Sequence, residues 1–147
     1  MITEQNEDLP EGHVVTEQMA VDSMKQIIEK WDEKVKDDEQ VRELYPDVLL
    51  AIQTGIFEID ENLKSTYKLQ VPVLNDKGEE SYTKVIFRTR IKPSELAKVT
   101  KGINVQKEQF QYLLNVLSFI TQLPIPIIDK LSKKDYRVLD QISTIFS

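Results

Sequence analysis

Few side chains in this sequence could make or break bonds. His13 is the only histidine and cysteine is absent, which removes thiol catalysis, a Ser–His triad and the usual zinc sites. Four scattered glycines cannot assemble a P-loop or a dinucleotide fingerprint. Two acidic runs remain, Asp37-Asp38-Glu39 and Asp60-Glu61-Asn62. Neither has calcium-loop spacing, and adjacent residues on a helix face different directions, so both read as solvated helix ends. The expectation is a protein that is not an enzyme and carries no cofactor and no metal.

The cations form a more ordered pattern. Lys68, Lys84, Arg88, Arg90 and Lys92 would share the polar face of a β-hairpin and could contact phosphates. A net charge of −6 and the lack of an aromatic set on that face argue against nucleic acid. A protein-docking face and an ordinary solvated sheet face are the other readings. Interaction is favoured over catalysis.

Several elements must position these groups. Residues 1–13 hold Pro10, Gly12 and five ionisable side chains, and read as a disordered tail. Met24, Ile27, Ile28, Trp31 and Val35 then recur at helical spacing, predicting a helix from Thr16 to about Asp37, where the acidic cluster ends it. Val41, Leu44, Val48, Leu49 and Ile52 start a second stripe, broken near Tyr45 by Pro46 and capped by Gly55. Residues 14–66 are thus an acidic helical hairpin or arm. From Tyr67 the period becomes two. Tyr67, Leu69, Val71 and Val73 form one strand and residues 83–91 a second, joined by a turn containing Asn75, Asp76 and Gly78. Pro72 makes the first strand an edge or a point of bending.

A short helix opens at Pro93 and Ser94 and closes at Gly102. Asn104 then caps the longest apolar helix, with stripes Phe110, Leu113, Leu114, Leu117, Ile120 and Tyr112, Val116, Phe119, Leu123. A helix apolar around most of its circumference is either central or has one face reserved for another molecule. Pro124 and Pro126 stop it. Ser132 with Asp135 resembles a capping box, and Tyr136, Leu139, Ile142 and Phe146 line the last helix. The fold class is therefore α+β: a β-hairpin packed on a small helical bundle over 67–147, preceded by the acidic arm.

Charge divides the same way. Residues 1–66 carry 17 acidic and 6 basic groups, residues 67–147 carry 8 and 13, so the acidic half could fold back on the basic half or occupy it until a partner arrives. The acidic N-terminus has no apolar h-region of a signal peptide, and no apolar run approaches the ~20 residues that span a bilayer. Lack of cysteine fits a reducing cytoplasm.

Residues 67–146 resemble the Mu-like phage tail assembly chaperone family. The resemblance is carried by "YKLQVPV", by "DKGEESYTKVIFRTRIKPSEL", and by "LLNVLSFITQLPIPIIDKLSKKDYRVLDQISTIF". In the last run Leu117, Thr121, Leu123, Pro124, Ile128, Leu131, Asp135, Tyr136, Leu139 and Phe146 fill the positions of the family's "L-T-G-L-P", apolar turn, "L-x-x-x-D-Y" and final aromatic. Gln122 stands where the family prefers Gly, so the helix is expected to run a turn further, and the first 66 residues have no counterpart.

The resemblance implies a non-enzymatic assembly factor of the bacterial host cytoplasm. It would coat the tape measure protein and/or other tail proteins, keeping its client soluble until tube subunits replace it. Self-association is compatible with this, a membrane partner is not. Leu113, Leu117 and Phe119 are the candidate client contacts, with Arg88 and Arg90 as charge contacts. The rivals are a structural tail or baseplate component and a small nucleic-acid-binding regulator.

Overall fold

A computed structural model describes residues 9–32, 37–88 and 90–145. Among them the order is α1 (Glu17–Asp32), α2 (Asp38–Leu44), α3 (Pro46–Gln53), β1 (Phe57–Ile59), β2 (Ser65–Leu74), β3 (Glu80–Ile86), α4 (Pro93–Val99), α5 (Gln109–Thr121), α6 (Ile125–Ile128) and α7 (Lys133–Ser143). The class is α+β, with one antiparallel sheet in the order β1-β2-β3. Val35, Thr89 and Phe146, assigned above to a helix, a strand and a helix, lie outside the described residues.

Thr16 opens α1 by accepting the Met19 N–H at 3.1 Å, and Ala20, Val21, Met24, Ile27 and Ile28 form its buried stripe. The acidic cluster has a different task from the one expected. Asp37 is the N-cap of α2, its carboxylate accepting the Gln40 N–H while the Gln40 side chain accepts the Asp37 N–H. Asp38 of that run pairs with Lys25 of α1 at 2.9 Å. Its carboxyl is held below the usual value by the bond from Lys25. Pro46 stands in the first turn of α3, as its fixed φ favours. Gly55, at φ +80°, follows the C-terminus, where Gly55 N–H reaches Ile52 O and Ile56 N–H reaches Ala51 O, a Schellman closure. Residues 10–13, expected as part of a disordered tail, make a turn: His13 N–H bonds Pro10 O and Val14 N–H bonds Gln53 O.

The sheet exceeds the expected hairpin by one strand. Phe57–Ile59 pair with Tyr67–Ser65 across a turn in which Asp60 Oδ1 accepts the Asn62 and Lys64 N–H groups, both at 2.8 Å. Between β2 and β3 the register jumps from Lys68↔Lys84 to Val73↔Tyr82, leaving a bulge in β2. The β3 strand stops at Ile86, short of the expected Ile91, because the Arg88 N–H turns away to Ile120 O of α5 at 3.0 Å.

One hydrophobic cluster joins the two halves of the chain. Met24, Ile28, Val41, Tyr45 and Val48 pack into the same core as Tyr67, Val85, Leu117, Ile120 and Leu139. A polar clasp ties the halves as well. Tyr45 offers no side-chain cap to α3. Gln141 of α7 supplies it, its Oε1 accepting the Asp47 and Val48 N–H groups at 3.0 and 3.1 Å and its Nε2 donating to Asp47 Oδ2 at 2.6 Å.

Candidate functional site

The Ser132–Asp135 pair forms one half of a capping box, and Asp135 turns its carboxylate to other partners. Ser132 is the N-cap of α7, its Oγ accepting the Asp135 N–H at 3.2 Å. Asp135 itself has no exposed surface. Its Oδ1 accepts Tyr67 OH at 2.5 Å and Gln70 N–H at 2.9 Å, and its Oδ2 accepts Val71 N–H at 3.1 Å and Ser132 OH at 2.8 Å. Gln70 and Val71 sit in the β2 bulge, where the ladder to β3 is interrupted. The carboxylate therefore replaces the missing strand partners, and four donors satisfy its charge without a cation. Burial first, then the bond to Asp135, pushes the Tyr67 phenol well above its ordinary 10.0, so it stays a donor.

The C-terminus of α5 is the second charged junction. The helix stops at Thr121 rather than running on, and Gln122 takes the left-handed conformation at φ +62°. That is the conformation a glycine adopts most easily. The Gln122 side chain donates to Ile86 O at 2.9 Å. Arg88 closes the same helix end: its Nε donates to Phe119 O at 2.6 Å and its guanidinium lies 4.3 Å from the centre of the Phe119 ring. A cation at the carbonyl end of a helix meets the favourable end of the dipole.

Beside this junction runs a groove of about 650 Å³ between α4, α5 and α6, whose walls include Arg88, Val99, Ser118, Leu123, Pro124 and Ile125. At the other end of α5 lies an apolar groove of about 310 Å³ formed by Phe110, Leu114, Ile128, Leu131 and Tyr136, with Asp129 and Lys133 at its rim. Phe110 is 64% exposed. Burial, then the charge of Asp140, raises the Tyr136 phenol, which stays neutral in the groove.

The expected contact residues separate on this frame. Leu117 is fully buried in the core, and Phe119 is buried under the Arg88 guanidinium in the wall of the groove there. Leu113 is half-buried. Arg90 is exposed near Arg88, whereas Lys68 and Lys84 face each other in the sheet; the five cations do not share one face, because β3 ends before Arg88. Asn104 does not cap α5. It accepts the Gln106 and Lys107 N–H groups in a separate turn, and α5 starts at Gln109. Phe110 falls on one apolar stripe of the sequence, and neither residue type nor spacing signals its exposure.

Among the described residues there is no group of three side chains able to hold a metal ion, and no helix is long and apolar enough to cross a membrane. Comparison with protein-family models, curated proteins and solved structures returned no match.

Proposed function

We propose that this chain is a phage tail assembly chaperone that binds the tape measure protein in the host cytoplasm and keeps it soluble, acting by binding and without catalysis. The observation that carries the reading is the apolar groove at the N-terminal end of α5, where Phe110 stands exposed above Leu114, Ile128 and Tyr136. A concave apolar strip of this kind suits one face of an amphipathic helix, the form in which a tape measure protein presents itself. The sequence pattern of the family adds support, since Gln122 holds the left-handed position at which the family prefers Gly, and the "D-Y" pair supplies Asp135 to the β2 bulge and Tyr136 to the groove.

Client contact then passes from Leu117 to Phe110 and Leu114. Co-expression with the tape measure protein encoded next door tests this: a soluble client that co-purifies with the wild-type chain, and is lost with Phe110→Asp, is the expected result. An insoluble client with no co-purification overturns it. Mass spectrometry of purified virions separates an assembly factor, which is missing from them, from a structural tail component, which is present.

A further inference from the structure

We infer that the groove beside Arg88 is a carboxylate-recognition site, which receives an acidic segment flanked by apolar residues on a protein partner. This goes beyond the tail-assembly reading, because it concerns the chemistry of a surface on the opposite end of α5 from Phe110, whichever chain brings the segment.

The Arg88 side chain is pinned but only partly used. Its Nε is committed to Phe119 O and its face to the Phe119 ring. The two terminal amino groups of a guanidinium carry about four further N–H donors, and these have no acceptor among the described residues. The polar neighbours do not compete for the same ligand: Asn115 donates to Val99 O, Ser118 to Leu123 O and Gln122 to Ile86 O. What the groove offers is a half-buried, preoriented fork against apolar walls of Val99, Leu123, Pro124 and Ile125. Such a fork matches the two oxygens of a carboxylate, and apolar walls strengthen the contact by excluding water.

Charge around the groove points the same way. Arg88 and Gln122 also line an adjoining depression together with Lys64 and Arg90, and no Asp or Glu lines either hollow. In a chain of net charge −6, three cations without a carboxylate among them make a local field that a partner's acidic groups complement. A peptide fits better than nucleic acid. Phe87 and Phe119, the aromatic side chains of the two hollows, are buried and offer no stacking platform, the apolar walls suit side chains that flank a carboxylate, and the net charge repels a polyphosphate.

Fluorescence anisotropy of the full chain at low salt tests the assignment. The probes are a labelled peptide that sets glutamate pairs between leucines, its glutamine counterpart, and a labelled oligothymidylate. The glutamate peptide should bind about tenfold tighter than the glutamine peptide, and Arg88→Lys should remove most of that difference, since an ammonium is not a fork. The double variant Lys64→Ala with Arg90→Ala leaves the helix cap of Arg88 in place and should weaken the glutamate peptide about threefold with an unchanged melting curve. Equal binding of the two peptides, tighter binding of the oligothymidylate, or an unaffected double variant would overturn the inference. Should the Arg88 variant lose its fold, the double variant decides.

Discussion

Asp135 and Arg88 are both charged side chains drawn into the fold, and both sit where a secondary-structure element ends or breaks. They differ in how completely the chain answers them. Asp135 is closed: both oxygens are taken, by the Tyr67 and Ser132 hydroxyls and by the Gln70 and Val71 N–H groups, and no solvent reaches it. Arg88 is open: one N–H and one face are used, and the side chain lines a groove with its other donors unmet among the described residues. A buried charge with every hydrogen bond met within the chain holds architecture, while a half-buried one with donors to spare is free to take a ligand.

That contrast can be broken experimentally. The largest effect belongs to Asp135→Ala, which strips an acceptor from four donors at once and should cost about 3 kcal/mol in urea unfolding. Asp135→Asn keeps the shape with a single carbonyl acceptor and should cost about 1–2 kcal/mol. If either variant unfolds at the wild-type midpoint, the carboxylate is not the closed node described. Arg88→Ala should cost less, about 1 kcal/mol for the lost cap and ring contact, yet abolish acidic-peptide binding. Arg90→Ala should leave the midpoint within about 0.5 kcal/mol; a larger loss would place Arg90 with the architecture and not with the groove.

The smallest effect is a titration. The folded chain holds the Tyr67 proton above the phenol's ordinary 10.0, so stability is full below that pH and falls as pH rises through the folded value. Ultraviolet titration should show a tyrosine step well above the phenol's ordinary 10.0, with Tyr67→Phe removing that late step. A Tyr67→Phe variant whose titration matches the wild type would mean that the clasp opens readily.

How much of this was legible in the sequence depended on the range of the contact. The Ser132–Asp135 cap spans three residues and could be read, as could the turns at Asn75 and Gly78 and the break at Pro46. The second role of Asp135 could not, because its partners lie more than sixty residues away in a bulge that the unbroken alternation of "YKLQVPV" hides. Val71 continues that alternation yet is exposed. Arg88 continues the alternation of β3 in the same way, but its N–H has a better-placed acceptor in the last turn of α5. Helical spacing correctly grouped Phe110, Leu113, Leu114 and Leu117 on a stripe; it carries no information about depth along the axis, and so could not separate buried Leu117 from exposed Phe110. The three residues of β1 were too few to show a period, although Asp60 and Asn62 marked the turn after it.

The bulge in β2 has a consequence for how these chains behave in a crowd. An unladdered stretch of strand is ordinarily an invitation to another molecule's strand, since it displays alternating donors and acceptors to any passing backbone. Here the Gln70 and Val71 donors are occupied by Asp135 and Pro72 has none to give. The stretch is left with little to offer an incoming strand, so the same carboxylate that holds the sheet to α7 also closes this part of β2 to strand addition.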